Sequence, residues 1–487
     1  MLFNSFSFLI FFPVVVILYF VIPKSMKKIW LLVASYFFYM SWNAKYGLLI
    51  AFSTVVTYFC ARWIDASSKV AMRRLVLTLC LLSNLGILFF FKYFEWLLGE
   101  FCEWFNVSYS LPFDIILPVG ISFYTFQALG YTIDVYRKKV SAEKNFITYA
   151  LFVSFFPQLV AGPIEKSDHL LKQLQEPTSF NRENVVRGLQ MMMWGFIEKL
   201  VIADTLAIIV DKVYGNYTAY GGAVLLFVTA LCAFQIYCDF GGYSHIAIGA
   251  ARVLGIELMT NFRQPFFSKT IKELWQRWHI SLNNWLRDYV YISMGGSRCS
   301  KPRRHFNLMV TFLVSGLWHG ASWHYVAWGG INGVFQIVGE YVDPLYAKGA
   351  KKIHIDPEGL FYQTIQRIVT FFLFVASLIF FRATSMGESF FIFKEIFTNP
   401  QIAQLVNPSS WGIENLQLGQ IIWLVIAMIA LLVVDVVHEK NMHFHDILKT
   451  KTSKTRLALY ATTVMFLIFS VVQTFGRSAS AFLYFQF

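Results

Sequence analysis

Charge is scarce in this chain. Only 14% of its 487 residues are Asp, Glu, Lys or Arg, against about a quarter in soluble domains, while 57% are hydrophobic. Water alone is excluded as its solvent. Acidic residues are the scarcer sign, 28 against 41 Lys and Arg, for a net charge of +13. The basic excess sits mostly in short loops between apolar runs, which is what orientation in a membrane requires, so nucleic acid is not an expected partner. The six cysteines contain no CxxC pair and no His at metal spacing, so neither a disulfide framework nor a metal site is expected. Also missing are a GxxxxGK[ST] phosphate loop, an HExxH helix and a GxSxG nucleophile elbow, which leaves a nucleotide-driven pump and a soluble-type hydrolase without support. The first apolar stretch has no basic n-region and no small-residue cleavage site, so it reads as a retained helix and not as a signal peptide.

What the chain does have is apolar sequence near bilayer-spanning length from end to end: 2–22, 75–91, 223–238, 361–381, 420–437 and 457–472. These predict an all-α, polytopic integral membrane protein with a single membrane domain over 1–487. Loops carrying Lys24, Lys27 and Lys28, then Arg62, Lys69, Arg73 and Arg74, then Arg137, Lys138, Lys139 and Lys144 fall on the cytoplasmic side. The acidic stretch with Glu95, Glu100 and Glu103 falls opposite them, and both termini are expected to be extracytoplasmic. Two segments read as broken backbone: 111–133, with Pro112, Pro118, Gly120 and Gly130, and 153–164, with Pro157, Gly162 and Pro163. Broken backbone at membrane depth is tolerated only inside protein or along a watery cavity, so a hollow core is expected. Segment 267–292 keeps a helical period of apolar residues with Trp275, Trp278 and Trp285 among charges, and predicts one helix lying at the membrane interface.

His319 ends an apolar run that starts near Leu308. An ionisable group there is costly without a partner or a role, and imidazole, with a pKa near 6.5, is able to take a proton from an attacking hydroxyl. A histidine bonding a neighbouring carbonyl to tie two helices together is the other reading, and the local sequence leaves both open. His279, on the expected interfacial helix, reads by itself as part of a solvated face, with a catalytic role as the alternative; His324 is a weaker candidate. Asp239, before Phe240-Gly241-Gly242-Tyr243, reads either as a group that orients a base or as a helix-ending residue in a glycine turn. Arg382 reads as an interface anchor.

Several blocks resemble the membrane-bound O-acyltransferase (MBOAT) family, in its bacterial branch typified by the alginate O-acetyltransferase membrane subunit. They are Leu117-Pro118-Val119-Gly120-Ile121-Ser122-Phe123-Tyr124-Thr125-Phe126-Gln127, Phe156-Pro157-Gln158-Leu159-Val160-Ala161-Gly162-Pro163-Ile164, Tyr237-Cys238-Asp239-Phe240-Gly241-Gly242-Tyr243-Ser244, Asn261-Phe262-Arg263-Gln264-Pro265-Phe266, Trp275-Gln276-Arg277-Trp278-His279-Ile280-Ser281-Leu282 and Gly316-Leu317-Trp318-His319-Gly320. They run through most of the chain in the family's order. The resemblance implies a ring of tilted helices, with re-entrant and interfacial helices around a central funnel. It places the family's catalytic histidine at His319 and its second histidine at His279, with Asp239, Trp318 and Arg277 as weaker substrate-positioning candidates.

By the same resemblance, acetyl-coenzyme A is the expected acyl donor, a substrate and not a tightly bound cofactor. His319 would act as general base, and His279 or a backbone amide would hold the acceptor or steady an oxyanion. An extracytoplasmic accessory acyltransferase is the implied partner and a cell-surface or exported polysaccharide the final acceptor, in the bacterial cytoplasmic membrane. D-alanyl transfer to teichoic acid from a carrier-protein thioester, and a polysaccharide-export channel, are the rival readings. The aromatic tail Ala481-Phe482-Leu483-Tyr484-Phe485-Gln486-Phe487 looks like the C-terminal motif of the small membrane peptide of the D-alanylation system, which implies Tyr484 as an acyl carrier; an aromatic interface anchor is the alternative.

Overall fold

The computed structural model describes residues 1–109, 111, 114–407, 411, 416–442 and 444–474, and every regular element among them is a helix. Five helices are long and apolar enough to cross a membrane: Tyr46–Ala66, Val70–Lys92, Gly222–Val253, Leu360–Arg382 and Leu418–Glu439. The chain is an all-α, polytopic membrane protein. Four of these spans fall on the expected stretches. Tyr46–Ala66 is an addition, and the first expected stretch yields only the 16-residue helix Phe6–Val21, short of the roughly 20 residues a span needs. Contacts divide the chain into two compact units, Met1–Met192 with Tyr243–Thr260, and Met193–Gly242 with Asn261–Phe487.

In the first unit, polar side chains join helices where hydrocarbon alone gives no driving force for association. Ser53 donates to Asn84 at 2.6 Å, linking Tyr46–Ala66 to Val70–Lys92, and Tyr149 donates to Thr57 at 2.7 Å. The helix Phe146–Ser154 breaks before Pro157, and the freed backbone groups find other partners. The Phe156 N–H donates to Ser35 Oγ at 3.1 Å, while the Phe152 carbonyl accepts from the amides of Gln127 at 2.6 Å and Gln158 at 3.1 Å. Such substitution lets irregular backbone persist inside the protein. The other expected break, over 111–133, is smaller than the sequence implied. It stops at Gly120, where φ is +75° and a β-carbon would sit 2.7 Å from the Leu159 carbonyl oxygen; from Ile121 to Tyr136 the helix is continuous through Gly130.

The second unit is organised around a close helix pair, Lys301–His319 and Trp323–Lys352. Glycine sets the spacing. A β-carbon on Gly316 would lie 2.2 Å from the Tyr325 carbonyl oxygen, and one on Gly329 would lie 2.3 Å from that of Phe312. Small residues at a membrane helix interface allow this backbone approach, and here they hold the end of the first helix firmly against the start of the second.

Candidate active site

His319 is the last residue of Lys301–His319 and is only 4% exposed. Aromatic rings box it in: the centroids of Trp318 and Trp328 lie 4.9 Å from its imidazole, and that of Phe381 lies 5.2 Å away. The second imidazole of the box, His279, stands 6.5 Å from it between ring centroids. Trp318 touches both, with its ring 5.5 Å from His279.

His279 corrects the expectation of one interfacial helix over 267–292. The segment is a chain of short pieces, with Ile271–Arg277 and Ile280–Leu286 separated by a corner at which His279 takes φ +43° and ψ +55°. A left-handed conformation costs a residue bearing a β-carbon about 1–2 kcal/mol, so something must impose it. Asn261 does so: its carbonyl accepts the Ile280 N–H at 2.9 Å and its Oδ1 accepts the Ser281 N–H at 3.3 Å. From the other side, the Asn283 amide donates to the carbonyls of Trp275 at 2.8 Å and Trp278 at 2.6 Å, which the interrupted helix leaves over. The corner turns His279 inward to 1% exposure, with the Phe240 ring 4.6 Å away, and the solvated-face reading falls. Burial pushes its pKa down to about 3, so this imidazole is neutral at any physiological pH.

Asp239 is not at a helix end. Gly222–Val253 runs unbroken through Gly241 and Gly242, and the missing side chain at Gly242, where a β-carbon would be 2.7 Å from the Gly195 carbonyl oxygen, lets segment 195–199 approach. Lys199, 1% exposed, reaches Asp239 at 2.6 Å and Asp204 at 2.9 Å. Asp239 is thus half of a buried ion pair. Arg277 is likewise engaged, with Glu273 at 2.6 Å and Glu439 at 2.6 Å, so its guanidinium ties helices together. Arg382 pairs with Asp211 at 2.6 Å over the Tyr214 ring. His324 makes a helix-tying bond to a carbonyl: its Nδ1 donates to the Phe380 carbonyl at 2.9 Å. Tyr484 lies outside the described residues.

Sequence reasoning missed Trp328 and Phe381 as members of the box, because aromatics are so common here that no local signal marks them. Asn261 was visible only as part of a resembling block.

The description "MBOAT, membrane-bound O-acyltransferase family" matches residues 137–385. Among relatives, "Probable alginate O-acetylase AlgI" of Pseudomonas aeruginosa is 36% identical over 88% of this chain and 82% of its own length. The peptidoglycan O-acetyltransferase of Helicobacter pylori is 30% identical over 100% of this chain and 98% of its own length. A teichoic acid D-alanyltransferase of Streptococcus thermophilus is 29% identical over 49% of this chain and 59% of its own length. The chain belongs to the MBOAT family. It is an O-acyltransferase, and the export-channel reading is set aside.

Proposed function

We propose that this O-acyltransferase moves an acetyl group from acetyl-coenzyme A to a hydroxyl, on the way to an extracytoplasmic polysaccharide, with His319 as general base. The observation that carries the reading is the pair of buried imidazoles, 6.5 Å apart, in one aromatic box at the end of a helix. A ring nitrogen of His319 takes the acceptor hydroxyl's proton as the oxygen attacks the thioester carbon. The C–O bond forms, the C–S bond breaks, and the proton passes to the leaving thiolate. Its position favours this: the last-turn carbonyls of Lys301–His319 form the negative end of the helix dipole and stabilise the imidazolium, by about 0.3–2 kcal/mol depending on burial. Neutral His279 has one donor and one acceptor nitrogen, which suits it to position the acceptor.

The names of the alginate and peptidoglycan relatives support acetyl as the group moved, since they match most of this chain, while the D-alanyltransferase of Streptococcus thermophilus aligns with about half of it. Transfer from a carrier-protein thioester is therefore the second reading. The test is release of coenzyme A thiol from acetyl-coenzyme A by the purified protein in detergent, with a hydroxyl acceptor present. No release with acetyl-coenzyme A, but turnover of a carrier-bound thioester, would reverse the order of the two readings.

Two variants probe the roles. His279→Ala is expected to lower the rate by about 10²-fold, the cost of a misplaced reactant, and so by less than loss of the base. A wild-type rate would remove His279 from the mechanism. For the onward step, Tyr484 is the proposed carrier: a phenol of pKa about 10 needs a base to become a nucleophile, and its aryl ester stays activated for delivery to an accessory transferase outside. Tyr484→Phe keeps the ring and removes the hydroxyl. Loss of polymer acetylation is expected; retention at the wild-type rate would make the tail an anchor.

A further inference from the structure

A general base alone leaves a problem unsolved. When the hydroxyl attacks the thioester, the carbonyl oxygen becomes an oxyanion, and in a box of aromatic rings that charge needs hydrogen-bond donors aimed at it. The helix that delivers His319 does not supply them, because a helix C-terminus presents left-over carbonyls and not N–H groups. Neutral His279 offers a single N–H. Among the indole donors near the box are Trp328, against His319, and Trp275, against Trp328.

Trp328, on Trp323–Lys352, is 2% exposed, and its ring meets the His319 imidazole at 4.9 Å and 87°. Trp275, on Ile271–Arg277 and four residues before His279, is 6% exposed, with its ring 5.5 Å from that of Trp328. Indole Nε1–H is a donor only. Both Nε1 atoms are buried, and neither has a hydrogen-bond partner among the described residues. About nine in ten buried polar groups are paired, and an unpaired donor costs about 1–3 kcal/mol. Two unpaired donors, from separate helices, with touching rings, one of them against the His319 imidazole, form a local concentration that packing alone does not require.

We propose that Trp328 and Trp275 are catalytic residues whose indole N–H groups hold the carbonyl oxygen of the acyl donor and stabilise it as the oxyanion forms. The inference rests on His319 acting as the base. It goes beyond that reading by naming where the developing charge goes. Chemically the site takes an acyl thioester, with the carbonyl oxygen towards the indoles and the carbonyl carbon within reach of the hydroxyl that His319 activates. The neighbouring rings, Phe312 at 5.6 Å from Trp275 and Phe381 at 5.0 Å from Trp328, keep water from competing for the two N–H groups.

The test uses the full-length protein in detergent with acetyl-coenzyme A. Trp328→Phe and Trp275→Phe remove an N–H and keep an aromatic ring. For Trp328→Phe the expected result is a fall in kcat of about 10²–10³, the usual cost of one oxyanion donor, with the KM for acetyl-coenzyme A within about twofold of wild type. Trp275→Phe is expected to fall in the same direction, and the double variant to lose less than the product of the two, as groups acting on one charge do. Binding of an unreactive thioether analogue of the donor, and the melting temperature, report on packing and are expected to stay unchanged. If kcat is retained in both variants, or if analogue binding falls in parallel with kcat, the indoles are packing groups and the proposal is wrong. A His319→Ala control separates the two levels: if that variant keeps its activity, the failure belongs to the base and not to the indoles.

Discussion

His319→Ala is expected to abolish acyl transfer while the protein still inserts and accumulates normally. Loss of a general base costs about 10²–10⁴ in rate, and the upper end applies here because the imidazole is enclosed. It is 4% exposed among Trp318, Trp328 and Phe381, so bulk water is a poor substitute as proton acceptor. Insertion is set by apolar length, and five helices carry it without any contribution from this side chain. Polymer acetylation in cells and thiol release in detergent are both to be measured, with the amount of membrane-extracted protein as the control. A variant that keeps more than a few per cent of either activity at normal abundance would dismiss His319 as the base.

How far the sequence could be read depended on whether the deciding partner was local. Spans such as Val70–Lys92 and Leu418–Glu439 are recognisable because hydropathy needs no partner. Tyr46–Ala66 escaped because it carries Ser53, Thr54, Thr57 and Tyr58, which lower its apolar score but face inward, where Ser53 meets Asn84 and Tyr149 meets Thr57. Periodicity misled at 267–292 for the opposite reason: the apolar spacing is helical, but Asn261 captures two backbone N–H groups and wins a corner that no local residue announces. At Asp239, two consecutive glycines looked like a turn, yet Gly242 serves a close approach that brings Lys199 within reach. His319 stands out in the sequence, since an ionisable side chain at the end of an apolar run invites a functional explanation, and the structure buries it there. Its pairing with His279 was visible only through family resemblance, because forty residues separate the two and nothing in their spacing brings them together.

Gly316→Val is expected to have the second largest effect, although glycine has no chemistry to lose. A β-carbon at this position would stand 2.2 Å from the Tyr325 carbonyl oxygen and 3.0 Å from its carbonyl carbon, so the obstacle is backbone and not a side chain able to rotate away. Lys301–His319 must therefore move off Trp323–Lys352, and His319, three residues later on the same helix, moves with it. A displacement of about 1 Å costs on the order of 10²-fold in rate, and the valine methyls add overpacking of about 1–3 kcal/mol. Transfer is expected to fall at least 10²-fold by this estimate, with a lowered melting temperature, and Gly316→Ala to fall between this variant and wild type. Gly330→Ala is the control on the partner helix: its β-carbon would meet only the Leu313 Cδ2 atom, at 3.5 Å, an ordinary contact. It is expected to keep wild-type activity. Equal activity for Gly316→Val and Gly330→Ala would mean that the two helices have slack between them, and that the aromatic box, not the glycine contact, holds His319 where it acts.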